Sequence, residues 1–339
     1  MEAKTKQSDV VIIGAGPVGL FAVFECGMLG LSCSVIDSLP EIGGQCTALY
    51  PEKPIYDIPA LPDVLAGDLI HNLEKQATPF KPDYNLGQQV TKVERQGERF
   101  LIETDQNLSI ECGAVIIAAG AGAFGPNRPP LDNIKDFESK SVFYMVRDRE
   151  SLSGKDIVIA GGGDSAVDWA LALAPKAKSL TIVHRRDKFR AAPASVEQLR
   201  ELEKNKVIQF IIPAQLAHIK GKGGQIETIG VQSLDDKSIT EVKADILLPF
   251  FGLAASLGPI ADWNLELQGQ TIHTNQATSE TSQPGIYAVG DIAGYDHKLK
   301  LILTGFAEAA QAAHHIWARL NPGETMHMQY STSKGLPKK

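Results

Sequence analysis

The sequence predicts an α/β chain of two strand–turn–helix–strand units, the second inserted into the domain that the first begins. Three observations predict this. Residues 9–13 (DVVII) run apolar into the turn Gly14-Ala15-Gly16-Pro17-Val18-Gly19, an apolar helix pattern follows, and residues 32–37 (SCSVID) return as a second strand ending on Asp37. The same order recurs in 156–160 (DIVIA), the turn Gly161-Gly162-Gly163-Asp164-Ser165-Ala166, a second apolar helix, and 179–184 (SLTIVH) ending on His184. Finally, buried strand patterns close each unit at 109–122 and 244–252, and a strand at 284–291 with a helix from about Gly305 to Leu320 lies beyond both. The C-terminal residues therefore complete the sheet of the first domain.

A glycine-rich turn means little alone, but after a buried strand and at the start of a helix it has a defined use. The first two glycines permit the tight turn and let backbone N–H groups approach a pyrophosphate. The third small residue, Gly19 or Ala166, lets helix and strand pack closely, and the helix N-terminus faces the phosphate charge. Two such turns, each correctly flanked, predict two Rossmann-like dinucleotide-binding domains. The expected boundaries are 8–123 with 252–339 for the first domain and 124–251 for the inserted one.

The composition narrows the alternatives. A chain of 339 residues suffices for two cores, and 43% hydrophobic with 22% charged residues is ordinary globular composition. A net charge of −7 argues against a nucleic-acid partner. The four cysteines (Cys26, Cys33, Cys46, Cys112) form no CxxC pair and read as reduced thiols in a cytoplasmic protein. The apolar run after Val10 is broken by Gly14, Gly16, Pro17 and Gly19, and no stretch reaches the roughly 20 apolar residues of a membrane span. No metal-ligand cluster is recognisable. His314 and His315 read as surface or packing residues.

The nucleotide at each turn is read from the end of the second strand. Asp37 and His184 occupy equivalent places, twenty-three positions after the first glycine of their turns. A carboxylate there accepts the ribose hydroxyls and repels a 2′-phosphate. His184, Arg185 and Arg186, with Arg190 beyond, supply cationic donors suited to that phosphate. The inserted domain is therefore expected to take NADPH through Gly161, Gly163, Ser165, Ala166 and this basic run. The first domain takes FAD, since Gly43-Gly44-Gln45 suits the close passage of a long cofactor, Asp291 is placed for a ribityl or pyrophosphate oxygen, and the helix near Gly305 would point at the ring.

As a set the motifs resemble the two-dinucleotide flavoprotein disulfide reductases, nearest the thioredoxin-reductase-sized branch, over Asp9 to His315. The redox dithiols of that superfamily are missing. Residues 142–150 contain no cysteine, and Cys46 faces Pro51 where a second cysteine would stand. The remaining motifs resemble the thioredoxin-reductase-like ferredoxin–NADP+ reductases: 43–46 with 49–59, 161–166, 184–193, 248–253, 298–305, and the tail 329–333. That resemblance implies FAD contacts from Gly14, Gly16, Gly19, Asp37, Gln45, Tyr50, Val90, Phe124, Asp291, Thr304, Ser331 and Thr332, with Tyr50 and Tyr330 stacked on opposite faces of the ring. It implies a homodimer. Cys46 reads as a buried spectator.

The activity implied is hydride transfer from NADPH to flavin N5, then single-electron transfer to ferredoxin or flavodoxin, with no catalytic side chain of the acid–base or nucleophilic kind. Two alternatives stay open: an NADPH-dependent disulfide reductase-like enzyme, and a non-catalytic nucleotide-binding redox sensor. Lys298, Lys300 and Lys334 are expected to form a basic docking patch for an acidic ferredoxin.

Overall fold

The computed structural model describes residues 5–146 and 148–325, without the side chains of 123–126 and 253–255. The chain divides into two compact units, Met1–Phe124 with Ala255–Lys339, and Gly125–Ala254. Short strands Ala123–Pro126 and Leu253–Ser256, where the chain passes between them, pair with each other.

In the first unit, β1 (Lys6–Ile13), α1 (Pro17–Met28) and β2 (Cys33–Asp37) form the predicted strand–turn–helix–strand. Then come α2 (Ala66–Ala77), β3 (Asp83–Leu86) and the antiparallel run β4 (Val90–Gln96), β5 (Arg99–Thr104), β6 (Ser109–Ile117). The sheet order is β3-β2-β1-β6-β5-β4. Strands β1, β2 and β3 are parallel to their neighbours, and β6 lies parallel to β1. On its other side β6 is shared: Ser109–Cys112 pair antiparallel with β5, while Val115–Ile117 pair in parallel with a strand from the far end of the chain, Ile286–Ala288. Central strands covered on both faces need continuous apolar runs, and Val10 to Ile12 and Ala114 to Ile117 are accordingly fully buried.

In the second unit, β7 (Asp156–Ala160), α3 (Asp164–Leu173), β8 (Ser179–Val183), α4 (Pro193–Lys204) and β9 (Gln209–Ile211) are followed by the antiparallel β10 (Ala214–Lys222), β11 (Gln225–Ser233) and β12 (Ile239–Lys243). The strand β13 (Ile246–Pro249) returns beside β7, so the parallel sheet reads β9-β8-β7-β13.

The chain ends its described part with β14 (Ile286–Ala288) and α5 (Ile302–Leu320). Helix α5 begins three residues before the Gly305 start read from the sequence. Gly305 lies inside the helix because a Cβ there would sit 2.4 Å from the Val18 side chain and 3.1 Å from Gly290 Cα. It permits close packing and does not mark an end. The buried face of α5 repeats at helical spacing (Gly305, Glu308, Ala309, Ala312, Ala313, Ile316) and packs with Ala22, Val23 and Cys26 of α1. His315 belongs to this packing: its Nδ1 is 2.9 Å from the hydroxyl of the fully buried Tyr287. All four cysteines are free and buried.

Candidate functional site

In the first unit the C-terminal ends of β1, β2, β6 and β14 converge on a cavity of about 250 Å³, the place where open α/β sheets bind ligands. Its walls include Gly14, Gly16, Asp37, Gln45, Tyr50, Val90 and Asp291. The two glycines of the turn that line the cavity differ in what the fold asks of them. Gly14 is required by the fold, since its φ is +111° and a Cβ would lie 2.3 Å from the Ala118 carbonyl oxygen. Gly16 is not: its φ is −69° and nothing lies closer to a Cβ than Gly44 Cα at 4.0 Å. The space a side chain would fill there is part of the cavity wall. Gly19 does not reach the cavity; it packs under the turn, where a Cβ would lie 2.0 Å from the Gly14 oxygen.

Asp37 is held by two backbone donors, accepting from Ala15 N–H at 2.6 Å and Leu39 N–H at 2.8 Å. Burial pushes its carboxyl pKa up, and the two N–H groups pull it back down. One lone pair on each oxygen is still available to a ligand hydroxyl. Gly43 N–H donates to the Ala15 oxygen at 2.8 Å, which ties the segment before Gln45 to the turn. Leu301 and Ile302, at the start of α5, also line the cavity, and the first turn of that helix has neither an acidic residue nor a side-chain cap. Its N-terminal end therefore favours negative charge at the cavity wall.

Cys46 is buried, and it forms part of the cavity wall beside Tyr50. Its Sγ lies 3.9 Å from the Tyr50 hydroxyl, and burial pushes the thiol up to about 11. It is protonated at neutral pH and is no thiolate nucleophile.

The structure does not bring Thr304 to the cavity; in the first turn of α5 that wall is formed by Leu301 and Ile302. Lys298 cannot serve in a docking patch, because its side chain is only 6% exposed and is paired with buried Glu308. Lys300 is exposed. The Phe124 side chain, Tyr330, Ser331, Thr332 and Lys334 lie outside the described residues. Gln88, Gln89, Leu257, Pro259, Ile260 and Trp263 line the cavity without having been singled out from the sequence. They belong to no motif, and only the sheet brings them to the glycine turn. The indole Nε1 of Trp263 is buried with no partner among the described residues, a donor left over on a cavity wall.

The second unit repeats the turn. Gly161 has φ +151°, and a Cβ would lie 2.5 Å from the Phe250 oxygen; Gly163 has φ −93°, and nothing lies within 4 Å of a Cβ. Ala166 is buried behind the turn and Ser165 is exposed in the first turn of α3. The basic loop folds back onto this turn. Arg190 N–H donates to the Gly162 oxygen at 2.7 Å and Ala192 N–H to Asp164 Oδ1 at 3.1 Å. His184 covers Gly162, where a Cβ would be 2.4 Å from the imidazole, and its ring stacks on Phe189 at 5.4 Å. Burial, and then the charges of Arg185, Arg186 and Arg190, lower the His184 pKa, so its ring is neutral at pH 7. The positive charge of the loop resides on Arg185, Arg186, Lys188 and Arg190, and the three arginines are exposed and make no ion pair among the described residues.

Residues 8–315 match the family model described as pyridine nucleotide-disulphide oxidoreductase. The ferredoxin–NADP reductase of Rhodospirillum rubrum is 54% identical over 335 residues, covering 98% of this chain and 97% of the relative. That of Rickettsia canadensis is 54% identical over 327 residues, covering 96% and 97%. Among solved structures, thioredoxin reductase of Lactococcus lactis in its FR conformation superposes with a TM-score of 0.77 at 26% identity, covering 92% of this chain and 99% of that one. The fold and the paired glycine turns agree with these matches. The chain belongs to the pyridine nucleotide-disulphide oxidoreductase family, on the thioredoxin-reductase-like branch that contains the ferredoxin–NADP reductases.

Proposed function

We propose that this protein is an FAD-dependent reductase that moves electrons between NADPH and a ferredoxin or flavodoxin. The observation that carries the reading is the contrast at equivalent strand ends. Asp37 presents a carboxylate beside one glycine turn, and three exposed arginines, without ion pairs among the described residues, stand beside the other. FAD belongs in the first unit (residues 8–123 and 252–339) and NADPH in the second (124–251).

The residues present suit FAD. Asp37 accepts the ribose hydroxyls, Gly16 N–H and the open end of α5 are offered to anionic oxygens, and the Trp263 N–H, without a partner among the described residues, is a further donor. Tyr50 lines the cavity as one ring-stacking partner, and the Cys46 thiol orients its hydroxyl. For Tyr330, outside the described residues, the role of second stacking partner rests on the resemblance alone. Arg185, Arg186 and Arg190 bind the 2′-phosphate, while the backbone bond from Arg190 to Gly162 holds them over the pyrophosphate turn. Bound FAD would supply the redox chemistry, two-electron exchange with NADPH and one-electron exchange with the carrier, while the residues named above hold and orient it. The reading extends to a homodimer in the cytoplasm, supported by the resemblance and by four cysteines that are all free thiols.

The purified protein is expected to be yellow, with its visible absorbance bleached by NADPH under nitrogen. NADPH-dependent reduction of cytochrome c should require an added low-potential carrier, and thioredoxin should not be reduced. A colourless protein that takes up no FAD would overturn the reading, and a yellow one inactive with every ferredoxin and flavodoxin tried would favour a sensor. Truncation before Met328 removes Tyr330, so flavin fluorescence should rise and the NADPH half-reaction should change speed while FAD stays bound. Stacking of about 0.5–1.5 kcal/mol is too little to decide retention of the cofactor. An unchanged spectrum and rate would exclude Tyr330 as a stacking partner.

A further inference from the structure

Glu308 is an acidic residue on the buried face of a helix, and the redox reading gives it no role. Its side chain is 4% exposed, and every partner it has lies in a segment that borders the cavity. Oε2 accepts from Gly290 N–H at 2.8 Å, one residue before Asp291. Oε1 accepts from the Tyr295 hydroxyl at 2.7 Å and pairs with Lys298 Nζ. Lys298 lies three residues before Leu301, and its Nζ sits 5.2 Å from the Tyr295 ring centroid. Gly290 adopts φ +76°, and α5 packs so closely on it at Gly305, one turn before Glu308, that a Cβ on Gly305 would lie 3.1 Å from Gly290 Cα. A carboxylate and an ammonium this far from water are costly unless both are fully paired, so the three segments are locked in one arrangement.

We propose that Glu308 is a positioning residue for the electron-transfer reaction: its buried carboxylate ties α5 to the Gly290 turn and to the 295–301 loop, and so sets the spacing of the cavity walls formed by Asp291 and by Leu301. It touches no reacting atom. It acts through Asp291 and the α5 N-terminus, the groups that meet FAD. The inference rests on that cofactor reading; uptake of FAD by the unmodified protein tests the reading, and the variants below test the inference.

In Glu308→Gln the amide keeps the shape. Its oxygen accepts from Gly290 and its NH2 meets the Tyr295 hydroxyl, but Lys298 loses its counter-charge and must move toward solvent, drawing the 295–301 loop with it. FAD affinity and kcat are each expected to fall about tenfold or more, with a shifted flavin absorption band. The KM for NADPH, bound by the other unit, should hold. In the double variant Glu308→Gln/Lys298→Met both charges are gone and the bonds to Gly290 and Tyr295 remain, so spectrum, FAD affinity and kcat should return toward those of the unmodified protein. Glu308→Ala, which frees all three segments, should not recover with Lys298→Met. If Glu308→Gln lowers only the melting temperature, with native spectrum, affinity and kcat, the residue is merely stabilising and the proposal fails. It fails equally if the double variant is no better than the single one.

Discussion

Arg185→Ala is expected to raise the KM for NADPH about 10- to 150-fold and to leave that for NADH nearly unchanged. The range follows from about 1.5–3 kcal/mol for one charge-assisted hydrogen bond to phosphate. Arg185 is exposed and makes no ion pair among the described residues, so its removal leaves no buried charge and should not disturb the fold. His184, neutral at pH 7, adds no charge that could compensate. Steady-state kinetics with both coenzymes checks this. An equal loss for NADPH and NADH would mean that the loop is structural and that selectivity resides elsewhere.

The second large effect comes from opposing outcomes at two glycines of one turn. Gly161→Ala should destabilise the second unit by about 1–3 kcal/mol, because φ +151° is forbidden to an L side chain and the new Cβ would meet the Phe250 oxygen at 2.5 Å. Gly163→Ala should cost no more than about 1 kcal/mol, since its φ of −93° is ordinary and nothing lies within 4 Å of the added methyl. The methyl would instead fill the space over the helix N-terminus where a pyrophosphate sits. Displacing the nucleotide by about 1 Å is enough to reduce turnover on the order of 100-fold. Melting curves and NADPH kinetics separate the two: Gly161→Ala loses stability, while Gly163→Ala keeps its fold and its flavin spectrum but loses NADPH. A native KM in Gly163→Ala would show that the open space above this turn is not the phosphate site.

The parts of the site that are legible in the sequence are contiguous. Strand, glycine turn, helix and second strand occupy one short stretch of chain, so Gly14 to Asp37 and Gly161 to His184 report their own geometry. The helix limit at Gly305 was misread because glycine serves equally to end a helix and to let two segments touch. Only the positions of Val18 and Gly290 tell which applies. Lys298 read as an available cation on its local surroundings alone. Its partner Glu308 sits one turn deeper in a helix whose buried face is otherwise small and apolar, and a sequence pattern gives no warning of a buried pair. The place of Cys46 beside Tyr50 was not legible either, since it depends on how residues 43–50 are tied back to the turn through Gly43 and Ala15.

By itself the sequence determined the α/β class, the paired dinucleotide turns, the absence of a redox dithiol and the acidic-versus-basic contrast between the two strand ends. Each depends on residue type and short spacing, which the chain displays directly. Only the tertiary structure decided which distant side chains wall the cavity and which charges are free to act. Gln88, Trp263 and Asp291 meet because β14 closes onto the second half of β6, and Lys298 is neutralised because α5 packs against the Gly290 turn. Those outcomes come from sheet closure and burial, where contacts form between residues that share no neighbourhood along the chain.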